Sequence, residues 1–455
     1  MRLNSFRPTP ADDAQPAEIR EVEKSSLTVI GTGYLGAVHA ACMAEIGHEV
    51  LGVDVDEAKI AALAEGRAPF FEPGFPEVLK RNLENGRLRF TTSLAEAAAF
   101  GDVHFVCVGT PQQPGSHAAD LRYVDAVVDG LAPHLRPGAL VVGKSTVPVG
   151  TASRLAERID AELAWNPEFL REGFAVEDTL RPDRLVVGVT SPSAEQVLRD
   201  VYAPMLAAGT PWVSTDPATA ELVKVAANSF LATKISFINA MAEICEATGA
   251  DVTTLAAAIG YDVRIGDKFL RAGVGFGGGC LPKDIRAFRH RAAELGLEES
   301  VRFLHEVDAI NLRRRDRAVS LARELVGGSF AGRSVAVLGA TFKPDSDDIR
   351  DSPALAVANA IRAEGARVTV HDPQGIDNAR AVHPDLDYSP GAQKACEGAH
   401  VVVHLTEWSE YRDLDPVKLA EVVHGRALVD ARNALDLAAW RAAGWEVRAL
   451  GRPRA

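Results

Sequence analysis

Two kinds of apolar pattern alternate along the chain. Short β-branched runs ending in Gly or Asp are followed by longer stretches with helical spacing. LTVIG at residues 27–31 is such a run, AVHAACMAEIG follows it, and EVLGVDVD from Glu49 is a second run. Strands of a parallel sheet are buried on both faces, so they read as continuous Val, Ile and Leu. The order here is therefore β-α-β, which implies a parallel sheet. Further strands are expected at HFVCVG, ALVVGKST, AELAWN and RLVVGVT, with helical patterns between them. Up to about residue 210 the pattern predicts one doubly wound α/β domain.

The pattern then changes. From Thr219 to Thr248 there is no Pro or Gly for thirty residues, which is long for a globular helix. Its apolar positions, Leu222, Val225, Ala226, Leu231, Ile235, Ile238, Ala242 and Ile244, wrap widely around a helix. A buried helix linking two domains, and a candidate subunit interface, is expected. More helices follow through about Val326. A third region then restarts the α/β pattern with SVAVLGATF, a helix over SPALAVANAIRAEGA, and strands at RVTVHDP, HVVVHLTEW and ALVDARNALD. The expected division is a disordered tail at 1–24, a Rossmann-type domain at 25–212, a central helical dimerisation region at 213–326 and a Rossmann-like domain at 327–455.

Composition narrows the function. A length of 455 residues suggests about three domains, and an apolar share of 47% is ample for packed cores. The net charge of −13 argues against nucleic acid or an anionic membrane as partner. No stretch approaches the ~20 apolar residues of a membrane span, and the polar N-terminus lacks the apolar core of a signal peptide. Cys42, Cys107, Cys245, Cys280 and Cys396 are scattered without paired spacing. That fits a reducing, cytoplasmic setting and argues against structural zinc. His39, His48, His371 and His404 show no metal spacing, so no metal is expected.

Chemistry enters with Gly31-Thr-Gly33-Tyr34-Leu35-Gly36, which follows a strand and opens a helix. Gly31 permits the tight turn, Gly33 lets a pyrophosphate approach the backbone, and Gly36 lets helix and strand pack closely. Asp54, eighteen positions after Gly36, ends the next strand, where an acid grips the ribose hydroxyls. The pattern indicates NAD. Asp54 would repel the 2′-phosphate of NADP, with Lys59 near enough to blunt that preference. Gly109-Thr110-Pro111 and Lys144-Ser145-Thr146-Val147-Pro148 each follow a strand, at the edge where open α/β sheets bind ligands. In the third region the corresponding turn reads GATFKPDSDD. Lys343 replaces the close-approach glycines, so a different ligand is expected there.

Cys280 lies in GVGFGGGCLPKD, among Gly275, Gly277, Gly278 and Gly279 and ahead of Lys283 and Asp284. Nearby cations, or a helix starting at the Pro282-Lys283 step, should lower the thiol pKa and raise its thiolate fraction. A hydride acceptor and a nucleophilic thiol together suggest oxidation of an aldehyde through a thioester. A structural cysteine in a glycine-rich turn is the competing interpretation. In NPEFLREG, Glu168 and Glu172 stand four apart, as general base and cofactor ligand or simply as favourable charges at a helix start. Lys224 and Asn228 share one face of the long helix; a lysine in so apolar a stretch suits stabilisation of an oxyanion or phosphate, with a solvated helix face as the competing interpretation.

These blocks, with FFEPGF, PDRLVVG, RIGDKF and ARNALD, occur in an order that resembles the UDP-glucose/GDP-mannose dehydrogenase family, and its UDP-glucose branch in particular. The resemblance runs from Leu27 to about Gly451. It implies NAD-dependent, four-electron oxidation of UDP-glucose at C6 to UDP-glucuronate. Residue by residue, it puts the catalytic thiol on Cys280, the oxyanion lysine on Lys224 with Asn228 beside it, and the water-activating aspartate on Asp284. It puts water positioning and proton removal on Thr146 and Glu168. It implies cofactor contacts at Gly31, Gly33, Tyr34, Leu35, Gly36, Asp54, Lys59, Thr110, Thr146, Glu172, Lys283 and Arg350. Substrate contacts are implied at Glu168, Phe169, Leu170, Lys224, Asn228, Arg264, Lys268, Phe276, Gly277, Lys343 and Arg432, and a homodimer or higher homo-oligomer on the long helix. Many members carry Ser where Gly279 stands and Arg where Lys59 stands. Relatives acting on N-acetylated sugars usually have His before the thiol and lack the Lys-Asp pair. GDP-mannose oxidation remains open, as do two less favoured readings, a two-electron 3-hydroxyacid dehydrogenase and a non-catalytic NAD or sugar-nucleotide sensor.

Overall fold

The computed structural model describes residues 25–453, and the expected disordered tail at 1–24 lies outside the described residues. The first sheet contains β1 (Ser26–Ile30), β2 (Glu49–Val53), β3 (Leu88–Thr91), β4 (Val103–Val106), β5 (Leu140–Gly143), β6 (Glu162–Trp165), β7 (Leu185–Gly188) and β8 (Trp212–Thr215). Its order is β3-β2-β1-β4-β5-β6-β7-β8. All neighbours are parallel except β6 and β7, which meet antiparallel at Trp165 and Gly188. The second sheet contains β9 (Ser334–Leu338), β10 (Arg367–His371), β11 (Asp387–Tyr388), β12 (Val401–His404), β13 (Ala427–Asp430) and β14 (Glu446–Ala449). Its order, β11-β10-β9-β12-β13-β14, repeats that of the first six strands. Both are doubly wound sheets whose strand order reverses beside the first strand, where such folds bind ligands.

Register explains which side chains meet. Ile30 pairs with Val53 and with Val106, and Val106 pairs with Gly143. Gly143 in turn pairs with Trp165. The next residue of each strand, Gly31, Asp54, Cys107, Lys144 and Asn166, therefore lines up along one carboxyl edge. All the strands foreseen from apolar runs are present. The unforeseen ones, β3, β8, β11 and β14, are short and end their sheets or abut the end. β8 is half-exposed throughout or more, so it carries no apolar run. It also extends the first sheet to Thr215, beyond the expected boundary at 212.

The long helix spans Pro217–Thr248, 32 residues. It starts where Asp216 caps it, accepting from Thr219 N at 2.8 Å, and stops at Gly249. It packs against the helices Leu281–Glu294 and Phe303–Leu325. The third region docks on it where Glu246 accepts from Gly451 N at 2.8 Å. Among the described residues no helix is long and apolar enough to cross a membrane.

Candidate active site

The turn after β1 is shaped for a close ligand. A Cβ on Gly36 would sit 1.8 Å from the Gly31 carbonyl oxygen, so only glycine lets this helix start so near the strand. A Cβ on Gly33 would meet nothing within 4 Å, which leaves open space above a helix N-terminus, with donors a pyrophosphate can use. Tyr34 begins that helix, with Leu35 beside it. Asp54 caps the turn: its Oδ2 accepts from Thr32 N at 2.9 Å and from Lys59 Nζ at 2.9 Å. Burial opposes ionisation, but Lys59 and the backbone donors hold Asp54 below the usual carboxylate range. These residues fit a dinucleotide. In the third region Asp372 holds the equivalent turn, with Oδ2 accepting from Ala340 N and Thr341 N at 2.7 and 3.0 Å. Trp408 covers it at 3.2 Å and it is fully buried, so that turn has no acid free for a ribose.

Thr110 Oγ1 donates to the Thr146 carbonyl at 2.7 Å, tying the turns after β4 and β5 together. A cleft beside them is lined by Thr110, Thr146, Pro148, Val225, Lys283 and Asp284. Cys280 caps the helix Leu281–Glu294, as its Pro282 foretold. One turn further on, Asp284 is buried. It accepts from Asn228 Nδ2 at 2.6 Å and from Lys283 Nζ at 2.5 Å. Lys224, one turn before Asn228, faces both the Cys280 thiol and Glu168, and its ammonium stands 5.4 Å from the Phe169 ring.

The expectation of an acidified thiol is overturned. Cys280 is open to solvent yet walled in by neighbouring groups, as at the foot of a cleft. That desolvation, then the Asp284 carboxylate, pushes its pKa up, and Lys224 and Lys283 oppose this without winning. The other four cysteines are free and buried.

Three domains meet around this thiol. Glu172, from the first, is held by Lys343 through its carbonyl, by Ser346 Oγ at 3.2 Å and by Arg350 at 3.2 Å. Burial and the nearby Asp348 push the Glu172 carboxyl up to about 7, while burial lowers Lys343. Gly278, at φ +85°, lets the glycine run turn beneath Phe342, whose ring a Cβ would strike at 2.8 Å. A Cβ on Gly279 would fall 2.2 Å from the Arg350 guanidinium. Arg350 thus occupies the space that a side chain preceding the thiol would take. A Cβ on Gly277 would strike the Asp351 carbonyl oxygen at 2.3 Å. Phe276 is buried and exchanges hydrogen bonds with Asn311 at 2.7 and 2.9 Å. Arg432 donates to the carbonyls of Leu405, Gly275 and Phe342 at 2.7, 2.9 and 3.0 Å, clamping the third region to the glycine run. Arg264 and Lys268 do not join this assembly. They are 85% and 86% exposed and pair with Asp262 and Asp267 of their own loop.

The models of the UDP-glucose/GDP-mannose dehydrogenase family match in chain order: the NAD-binding domain at 25–206, the central domain at 218–313 and the UDP-binding domain at 336–437. The chain belongs to this family. It is 44% identical to the UDP-glucose 6-dehydrogenase of Rhizobium meliloti, over 94% of this chain and 99% of that one. It is 41% identical to the enzyme of the same name from Pseudomonas aeruginosa, over 94% and 98%. A UDP-glucose dehydrogenase structure from the hyperthermophilic archaeon Pyrobaculum islandicum superposes with a TM-score of 0.86 at 40% identity, covering 92% of this chain and 97% of that one. The first domain is thus the family's NAD-binding domain.

Three contributors went unassigned in the sequence. Glu72, in FFEPGF, is buried and accepts from the Tyr34 hydroxyl, Gly173 N (2.6 Å) and Ala175 N (2.7 Å), fixing the loop that carries Glu172. Lys144 pairs with Glu168 Oε2 at 3.1 Å and donates to Asn166 Oδ1 at 3.0 Å. Arg184 lies 3.9 Å from the Phe169 ring centre. A charged residue at a strand's carboxyl end was the available signal for Lys144.

Proposed function

We propose that this chain oxidises the C6 hydroxyl of UDP-glucose to the carboxylate of UDP-glucuronate, with covalent catalysis at Cys280. The observation that carries this reading is the convergence of Cys280, Lys224, Asn228, Asp284 and Glu168 between an NAD-binding and a UDP-binding domain. Bound NAD supplies a hydride acceptor for each of the two oxidations. Gly31, Gly33, Tyr34, Leu35, Gly36, Asp54, Lys59, Thr110, Lys283 and Arg350 are the groups proposed to hold it.

Thr146 and the fixed carboxylate of Glu168 orient the C6 hydroxyl and its departing proton. At the aldehyde stage the Cys280 sulfur bonds to C6 and the thiol proton ends on the carbonyl oxygen, giving a thiohemiacetal. This step balances from a protonated thiol. Lys224 and Asn228 face the developing oxyanion, a kind of contribution worth about 3–4 kcal/mol in comparable sites. The second oxidation leaves a thioester, which water attacks beside Asp284, freeing the thiol. A covalent nucleophile divides one hard step into easier ones.

Phe169, Leu170, Phe276, Gly277, Lys343 and Arg432 are proposed to line the sugar-nucleotide site. Arg264 and Lys268 join that site in this reading, which requires their loop to move or a second copy to present them. A homodimer on the long helix is part of the proposal. Phe230, Phe237 and Ile244, seven apart on one face, are 67%, 49% and 58% exposed in a single chain, and apolar stripes of this kind mark protein contacts. Five free cysteines and a sugar-nucleotide substrate support a cytoplasmic setting. The three-domain division is proposed with its first boundary moved to Thr215, where β8 ends.

The test is stoichiometry across a panel of UDP-glucose, GDP-mannose and UDP-galactose. Two NADH per acid formed, with UDP-glucose best, is the expected result. One NADH with aldehyde or ketone product would overturn the four-electron reading, and GDP-mannose as best substrate would overturn the choice of sugar nucleotide.

A further inference from the structure

Lys144 is a lysine at the carboxyl end of a central strand with its side chain only 4% exposed. Burying an ammonium is costly unless it is paired and fully hydrogen-bonded. Here the pairing is specific. Nζ lies 3.1 Å from Glu168 Oε2 and donates to Asn166 Oδ1 at 3.0 Å. Asn166 is itself locked, accepting from the Tyr202 hydroxyl at 2.6 Å and donating to the Val186 carbonyl at 2.8 Å. The opposite oxygen of Glu168, Oε1, accepts from Phe169 N at 2.8 Å and Leu170 N at 3.1 Å. Both carboxylate oxygens are therefore anchored, and the group cannot turn.

Glu168 has two ammonium neighbours with different duties. Lys224, on the long helix, faces the thiol cleft and is the group assigned to the oxyanion. Lys144 is buried at the sheet edge, with its ammonium on Glu168 and Asn166. Among the described residues, Tyr202, Cys107 and Cys42 also face Glu168, and His39, its pKa lowered by burial, faces Lys144. Burial pushes Tyr202 and Cys107 up to about 12 and raises Cys42 further, so all three stay neutral. Burial alone would also protonate Glu168, but Lys144 foremost, then the backbone donors and Lys224, hold it below the usual carboxylate range.

We propose that Lys144 is a positioning residue of the reaction, which keeps Glu168 an oriented, ionised carboxylate while Lys224 attends to the substrate. This rests on the role given to Glu168 in the proposed function. When the substrate's oxyanion draws on Lys224, Lys144 is the one cation in this set left to Glu168.

The test compares Lys144→Met, Lys144→Arg, Glu168→Gln and the double variant Lys144→Met/Glu168→Gln, using kcat against pH from 4 to 9 at saturating substrates. In Lys144→Met the acid limb should move up by at least one pH unit, with KM for UDP-glucose and NAD changed less than threefold. Lys144→Arg should leave the limb in place. The double variant removes both charges, so it avoids a lone buried ion, and it should turn over within twofold of Glu168→Gln alone. An unmoved acid limb in a folded Lys144→Met protein overturns the proposal. So does a double variant more than tenfold slower than Glu168→Gln alone, an outcome readable even if Lys144→Met does not fold. If Glu168→Gln itself turns over like the wild type, the role given to Glu168 falls first and the proposal falls with it.

Discussion

Asn228 and Asp284 are hydrogen-bonded at 2.6 Å across two helices, and each stands one turn beyond a group that the proposed mechanism uses. Lys224 precedes Asn228 by four residues, and Cys280 precedes Asp284 by four. The bond therefore sets how Lys224 and the Cys280 thiol face each other. Asn228→Ala leaves an oxygen of a buried carboxylate without its donor, a loss of about 1–3 kcal/mol. A lower melting temperature and a kcat reduced at least tenfold are expected, with KM for NAD unchanged. Calorimetry and initial rates check this; an unaltered kcat would show that the pin does not set the geometry.

The thiol makes a signed prediction about pH. Burial and Asp284 raise Cys280, and Lys224 and Lys283 lower it. Iodoacetamide should therefore alkylate Cys280 in the free enzyme more slowly at pH 7 than it alkylates a small-molecule thiol, with the rate climbing into the alkaline range. Asp284→Asn should speed alkylation at pH 8, and Lys224→Met should slow it. Peptide mass spectrometry follows the site. Fast alkylation at pH 7 in the wild type would mean that the cations win after all.

Much of this arrangement was legible in the chain. The long helix was marked by thirty residues without Pro or Gly, and it occupies Pro217–Thr248. The doubly wound sheets followed from their central strands, whose both-sided burial leaves continuous apolar runs. β3 and β8 escaped because edge strands expose one side and lose that run. The sign of the thiol shift escaped for a different reason. Lys283 and Asp284 are adjacent in sequence, but which one governs Cys280 depends on burial and on Asn228 arriving from 56 residues away. Lys144 and Glu168 lie on neighbouring strands' ends, and their ion pair becomes visible only once β5 and β6 are in register.

In the proposed site, cofactor choice follows from Asp54 and Lys59, which are 2.9 Å apart. The carboxylate excludes a 2′-phosphate, and the ammonium beside it weakens that exclusion. NAD should be preferred over NADP in kcat/KM. Lys59→Met should widen the preference, and Asp54→Asn should narrow it, with KM for UDP-glucose unchanged in both. Equal use of the two cofactors by the wild type would remove Asp54 from the ribose site.

Glu172 links pH to the contact between the first and third domains. Burial, then Asp348, raises its carboxyl to about 7, against Arg350 and Lys343. An unfolded chain ionises this group at the ordinary glutamate value, well below 7. As pH rises from there, the unfolded state gives up a proton that the folded state retains. The stability that the protonated Glu172 supports is thus complete at acid pH, and it is lost as pH climbs through about 7. Glu172→Gln never ionises; its one amide oxygen can accept from Arg350 while its NH2 donates to the Ser346 hydroxyl oxygen. The ligand-free variant should therefore melt close to the wild type at pH 5 and a few degrees above it at pH 8. Calorimetry at the two pH values reads the difference directly. A gap that stays constant across the range would show that Glu172 titrates like an ordinary surface glutamate, and that the clasp by Lys343, Ser346 and Arg350 does not desolvate it.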